Sequence, residues 1–247
     1  MRIGILGDIH GNMEALTAVV AAMRDDGVDH WVQVGDIVGY GPEPSECIDL
    51  VRELGCTVCV GNHDAAVLGA LDTDYFNNYA RLAIDWTKEN VRSQDLEYLK
   101  SLPLVVKKEE YTVVHGSLSE PEQFGYVISP VEAKESLRLQ NTYMGFVGHS
   151  HVPAIYVERE GMDSNELEVH YQSAVEIDVS KCSRVLMNVG SVGQPRDEDP
   201  RAAYAVYDTE SKMASIRRVE YDIAGVQDKI RSAGLPEVLA HRLSLGV

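Results

Sequence analysis

Between residues 2 and 60 the apolar positions switch repeatedly between strand-like runs and a helical period, and few folds accept that rhythm. Arg2–Gly7 reads as a strand. Leu16, Val19, Val20 and Met23 then recur at i, i+3, i+4 and i+7, with Gly27 where a helix C-cap belongs. Trp31–Val34 reads as a second strand and Thr57–Val60 as a third. Between them Pro44–Leu54 reads as a helix presenting Cys47, Leu50, Val51 and Leu54 on one face, closed by Gly55. Strands alternating with helices in this way belong to a parallel sheet with right-handed crossovers.

Residues 65–102 read as helical, with Ser93 as an N-cap for the last piece. Strand patterns follow at Leu104–Val106, Tyr111–Val114, Tyr143–Val147, Ala154–Val157, Glu168–Tyr171, Arg184–Asn188, Ala203–Tyr207 and Met213–Val219. One helix interrupts them, opened by a capping box of Ser129 and Glu132. So many strands call for two sheets. The tail from about residue 222 reads as helix, broken at Gly234-Leu235-Pro236. No linker or repeat divides the chain, so a single domain over 1–247 is expected, with residues 65–102 as a helical elaboration.

Nearly every apolar run in the first 151 residues ends in a metal-binding residue type. Ile5-Leu6-Gly7 runs into Asp8 and His10, and Val32-Gln33-Val34-Gly35 into Asp36. Val58-Cys59-Val60-Gly61 runs into Asn62, His63 and Asp64. Thr112-Val113-Val114 ends in His115, and Phe146-Val147-Gly148 in His149 and His151. Ligands of open α/β sheets bind just beyond the carboxyl ends of the strands, so five strands would deliver Asp, His and Asn to one rim. A lone Asp at a strand end is ordinarily a turn former or cap, and a lone His a satisfied, partly buried residue. Five such endings, using five of the eight histidines, point to divalent metal instead.

Asp8-x-His10, Gly35-Asp36, Gly61-Asn62-His63-Asp64, His115 and Gly148-His149-x-His151 resemble the complete signature of the calcineurin-like metallophosphoesterase superfamily. Asn188-Val189-Gly190-Ser191-Val192-Gly193-Gln194-Pro195-Arg196 resembles a further segment of its small prokaryotic phosphodiesterase branch. The resemblance implies an α/β fold: a two-sheet β-sandwich flanked by helices, in four layers α/β/β/α. It implies two divalent metal ions, for which Mn, Fe, Zn, Ni and Co all suit the ligand set. Asp8, His10, Asp36 and His151 would hold one ion, and Asp36, Asn62, His115 and His149 the other, with Asp36 bridging. His63 is left off the metals for the substrate, and Asp64 would orient or acidify it. The expected activity is hydrolysis of phosphate esters, diesters foremost, by attack of a metal-activated hydroxide. A phosphomonoesterase, a dinucleoside polyphosphate hydrolase, a protein phosphatase and a non-catalytic scaffold of the same fold are the alternatives.

The chain carries 39 acidic against 22 basic residues, a net charge of −17, which excludes stable binding to nucleic acid or anionic lipid. A small phosphate ester remains an acceptable partner because two dications reverse the field locally. No apolar stretch approaches the ~18 residues of a membrane helix, and the N-terminal run is too short for a secretory signal. With four unclustered cysteines, a cytoplasmic location is expected; a homo-oligomer is compatible with the sequence. Cys56 and Cys59 sit three apart in a strand run, on opposite faces, and read as packing residues. Arg196 is the basic residue placed beside the substrate by the resemblance, or else an ion-pair partner of Asp197, Glu198 or Asp199. Tyr40 either lines the pocket or packs in its turn. Asn12 reads as the cap of the first helix.

Overall fold

The computed structural model describes residues 1–159, 161 and 166–247. Its first half runs β1 (Arg2–Leu6), α1 (Met13–Asp25), β2 (His30–Gln33), α2 (Pro44–Glu53), β3 (Thr57–Val58), α3 (Asn62–Val67), α4 (Asn78–Asn90), α5 (Ser93–Lys100), β4 (Val105–Lys107) and β5 (Tyr111–Val114). Then come α6 (Pro130–Leu139), β6 (Met144–Val147), β7 (Ala154–Arg159), β8 (Glu168–His170), β9 (Val175–Asp178), β10 (Cys182–Asn188), β11 (Ala202–Asp208), β12 (Met213–Val219), α7 (Ile223–Ser232) and α8 (Glu237–Leu243).

Two mixed six-stranded sheets face each other, ordered β3-β2-β1-β11-β12-β9 and β4-β5-β6-β10-β7-β8. Period-two alternation decides the layers. Ile3, Ile5, Val32 and Val34 from the first sheet meet Val113, Phe146, Ile155 and Met187 from the second in one apolar layer. The opposite faces are buried too: Leu6 packs with Leu16, Val19 and Met23 of α1, and Val147 and Leu186 pack with Ala133 and Leu137 of α6. Strands covered on both faces read as continuous apolar runs, which is why β1 and β6 lack polar alternation. The expected four-layer sandwich is the observed fold.

Each sheet contains a parallel run, β3-β2-β1 in one and β5-β6-β10 in the other. Their carboxyl ends therefore open on one edge of the sandwich. Asn12 caps α1, its Oδ1 accepting from the Ala15 amide at 3.0 Å.

Several boundaries differ from the sequence reading. β3 stops at Val58, because the Val60 amide turns to the Pro103 carbonyl at 2.9 Å instead of extending the ladder. α3 begins at Asn62, earlier than expected, and residues 68–77 form an irregular link to α4. Ser93 is the first helical residue of α5, and the N-cap is Arg92, without a capping side chain. β9 is an edge strand the sequence reading did not include. Cys47, Cys56 and Cys59 are free, and Cys56 and Cys59 pack into different apolar clusters on opposite sides of the first sheet. Among the described residues no helix is long and apolar enough to cross a membrane.

Candidate metal centre

The loops that leave β1, β2, β3, β5, β6 and β10 meet at the shared edge, and their backbones are unusual. Asp8, His10, Asp36, Tyr40, His149 and His151 all hold left-handed conformations, with φ of 46°, 51°, 59°, 55°, 67° and 61°. Asp and His tolerate this region better than most residues, yet each still costs on the order of 1–3 kcal/mol. Six together mark a place where the fold trades local strain for side-chain placement.

That placement yields two overlapping clusters. Asp8, His10, Asp36 and His151 present one ligand atom each within 4.8 Å of one another, and Asp36, His115 and His149 do the same, so Asp36 belongs to both. His10 Nε2 lies 3.5 Å from Asp36 Oδ2, His115 Nε2 lies 3.3 Å from the same oxygen, and His151 Nε2 lies 3.4 Å from Asp8 Oδ1. Asn62 Oδ1 joins the second cluster, 3.0 Å from His115 Nε2. Each of these residues is buried.

The ring orientations indicate what the clusters suit. His10 Nδ1 faces the Val38 carbonyl at 3.0 Å and His151 Nδ1 faces the Gln194 carbonyl at 2.6 Å, so each Nδ1 must carry the proton. Burial holds both imidazoles far below the ordinary histidine range, hence neutral. Their Nε2 atoms are then bare lone pairs, pointed at each other across 3.1 Å. Two facing lone pairs repel unless a cation lies in reach of both. The donor set of imidazole, carboxylate and amide oxygen is one that divalent transition metals accept.

The same burial divides the remaining charges. It pushes Asp8 up to about 7, against the pull of His115, and pushes His149 down to about 3. Burial works on Asp36 and His115 as well, but their mutual attraction wins: Asp36 is held far below the carboxylate range and His115 is raised to about 9.

Close packing fixes the loops. A Cβ on Gly61 would stand 2.1 Å from Asp36 Oδ1, and one on Gly148 would stand 2.4 Å from Asp8 Oδ2, so any larger residue at either position displaces a carboxylate. Asp64 departs from the expected role. Its carboxylate accepts from the amides of Asp36 (2.9 Å), Gly61 (3.0 Å), Ile37 (3.0 Å) and Val38 (3.2 Å), pinning the Asp36 loop to the start of α3. His63 Nδ1 is buried without a hydrogen-bond partner, so Asp64 does not orient the His63 ring.

A cleft of about 590 Å³ opens above the clusters, and Asp36, Asn62, His63, His149, His151, Tyr40 and Arg196 all reach it. His63 is wedged between Tyr40 and Phe76, ring centroids at 4.5 and 5.2 Å, and burial lowers it to about 4. Arg196 lies over the Tyr40 ring at 5.7 Å and bonds Gln194 Oε1 at 3.0 Å. The acids beside it are engaged elsewhere, Asp197 by Arg218 and Asp199 by Arg201. Sequence reasoning missed Tyr126, whose ring stacks on His149 at 4.0 Å and 16°, and Phe124, 6.0 Å from His115. Both follow β5 in a loop without motif spacing; two left-handed residues, Glu120 and Phe124, aim it back at the site.

Parallel strands of two facing sheets, ending in Asp, His and Asn around one cleft, define a metallophosphoesterase. A model of the calcineurin-like phosphoesterase superfamily domain matches residues 1–212, and the chain belongs to that superfamily. A metallophosphoesterase from Sphaerobacter thermophilus of known crystal structure is 43% identical, with a TM-score of 0.87 over 100% of this chain and 99% of that one. An uncharacterized protein of Methanocaldococcus jannaschii is 39% identical over 248 residues, 99% of this chain and 98% of that protein. The symmetrical bis(5'-nucleosyl)-tetraphosphatase of Vibrio vulnificus is 30% identical over 146 residues, 56% of this chain and 53% of the enzyme, so the chain matches about half of that relative's length.

Proposed function

We propose that the chain is a hydrolase of phosphate esters working with two divalent metal ions, and that phosphodiesters are its preferred substrates. The observation that carries this reading is the pair of buried clusters sharing Asp36, with bare imidazole nitrogens turned inward beneath a single cleft. Asp8, His10, Asp36 and His151 would hold one ion, and Asp36, Asn62, His115 and His149 the other. Bound there, two dications offset phosphoryl charge and acidify an attacking water. Arg196 would hold a non-bridging phosphoryl oxygen, steadied by Tyr40 and Gln194. His63 would face the leaving oxygen. Burial keeps it neutral near pH 7 in the free site, so it must first take a proton from water, a step the negative ester favours, before the imidazolium can give that proton to the leaving oxygen. Asp64 acts as a positioning residue for Asp36. The free thiols of Cys47, Cys56 and Cys59, two of them buried, support a reducing cytoplasm as its location.

The similarity to the tetraphosphatase of Vibrio vulnificus favours dinucleoside polyphosphate hydrolysis as the second reading. Elemental analysis together with a panel of aryl monoesters, aryl diesters and nucleotides tests both. The expected result is near two ions per chain and faster turnover of bis(p-nitrophenyl) phosphate than of p-nitrophenyl phosphate. Asp36→Asn, which keeps the shape and removes the shared charge, should empty at least one site and cost about 100-fold or more in turnover. Two ions bound with no hydrolysis of any ester would favour a scaffold, and two ions with full turnover in Asp36→Asn would end the bridging assignment.

A further inference from the structure

The cleft is chemically lopsided. Arg196 is its only lining cation among the described residues, joined through its amide to the His151 carbonyl at 3.3 Å. Tyr126 lines the cleft as well and covers His149. One face of the Tyr126 ring is taken by that stack, yet the residue is 49% exposed. Tyr75 lines the same cleft from the link between α3 and α4 and is 98% exposed, an aromatic ring with almost nothing packed on it. Asp72 is a further lining residue, an acid that repels any further phosphate.

Resting on the phosphoesterase reading, we infer that Tyr126 and Tyr75 bound a subsite for a planar aromatic group, such as a nucleobase, carried by the ester away from the scissile phosphate. A base needs an open π-face and no cation, which is what Tyr126 and Tyr75 offer. Stacking on one aromatic side chain is worth on the order of tenfold in affinity. A chain of several phosphates is served poorly here, because one arginine stands against Asp72. The subsite thus separates a nucleotide-like diester from both a simple alkyl ester and a polyphosphate.

The test uses two probes that cannot be hydrolysed: the 5'-phosphonates of adenosine and of ribose, in which a P–C bond replaces the scissile P–O bond. Each is titrated calorimetrically into the metal-loaded protein. Wild type should bind the adenosine compound about tenfold or more tightly than the ribose compound. Tyr126→Ala and Tyr75→Ala should each shrink that ratio several-fold, the double variant should bring it near one, and Tyr126→Phe should keep it. A ratio near one in wild type, or a ratio unmoved in the double variant, overturns the subsite alone. So does loss of bound metal in Tyr126→Ala with both affinities falling together, since Tyr126 then serves only His149. If neither phosphonate binds metal-loaded wild type that still hydrolyses esters, the subsite alone is overturned; if no ester is hydrolysed either, the phosphoesterase reading falls and the subsite with it.

Discussion

His63 is buried against Tyr40 and Phe76 with Nδ1 unpartnered, and its amide donates to Asp36 Oδ1 at 2.8 Å, so the backbone serves the shared carboxylate while the ring faces the cleft. A ring in that position can protonate the leaving oxygen or only hold the phosphate. The first role makes the cost of His63→Ala depend on the leaving group: about 10²–10⁴-fold for a nucleoside or alkyl alcohol, much less for nitrophenolate. A leaving-group series on both proteins reads the slopes of log rate against leaving-group pKa, and equal slopes would rule out proton transfer. His115 supplies a pH signature. With metal removed by chelator it titrates near 9, because Asp36 at 3.3 Å outweighs burial. A histidine raised above its unfolded value near 6.5 adds stability that is complete below that value and is lost as pH rises through 9. Chelated protein should therefore lose about 2–3 kcal/mol between pH 6.5 and 9.5 in urea melts, while metal-loaded protein, whose cation takes the proton's place, should not. The same loss with and without chelator would refute this account.

At the scale of elements, the hairpin of α7 and α8 lies beyond residue 212, outside the family match, yet it packs on the site's edge. Val226, Ile230, Leu239 and Leu243 form one cluster with Tyr40 and with Ala80 and Ala83 of α4, and Trp86 Nε1 donates to the Ala233 carbonyl at 2.9 Å. Leu239→Ala should cost about 2–5 kcal/mol in denaturant melts and also raise KM, because Tyr40 and the α4 wall rest on it. Destabilisation with KM unchanged would make the hairpin a support for the fold alone. The sequence showed a helical tail broken at Gly-Leu-Pro, but not what it packs against, since packing partners are long-range. The same limit hid Tyr126. The metal-site residues were legible because a strand end, a glycine and a ligand type coincide in sequence. A stacking tyrosine two residues past a left-handed Phe124 leaves no such local mark. β9 was missed for another reason: Val175–Asp178 is a short edge strand whose alternation only its pairing with β12 stabilises. Asp64 was misread because its neighbour in sequence is His63, whereas its hydrogen-bond partners lie mainly in the 36–38 loop.

For the whole molecule the deciding quantity is the net charge of −17 around a cleft that, on the proposed reading, receives an anionic ester. Bound as proposed, two dications against the carboxylates of Asp8 and Asp36, with Arg196 beside them, would make the floor of the cleft positive. That charge is felt at contact distance, whereas the surplus of acids acts on a substrate still in solvent. At 10 mM salt the screening length is about 30 Å, comparable to the molecule, and at 150 mM it is about 8 Å. Low salt therefore lets the whole negative surface repel an approaching phosphate, and added salt removes that repulsion before it weakens the buried contacts. The expected result is a rise of a few-fold in kcat/KM from 10 to 150 mM NaCl at constant metal. The rise should be steeper for a dianionic monoester than for a monoanionic diester, since the work of approach scales with substrate charge. Substrate preference would then shift toward diesters as salt is lowered, without any change in the site. Measuring kcat/KM for both ester types across the salt series decides it: a rate that falls with salt for both would mean the metal-loaded cleft projects its positive field past the acidic surface and steers the substrate in.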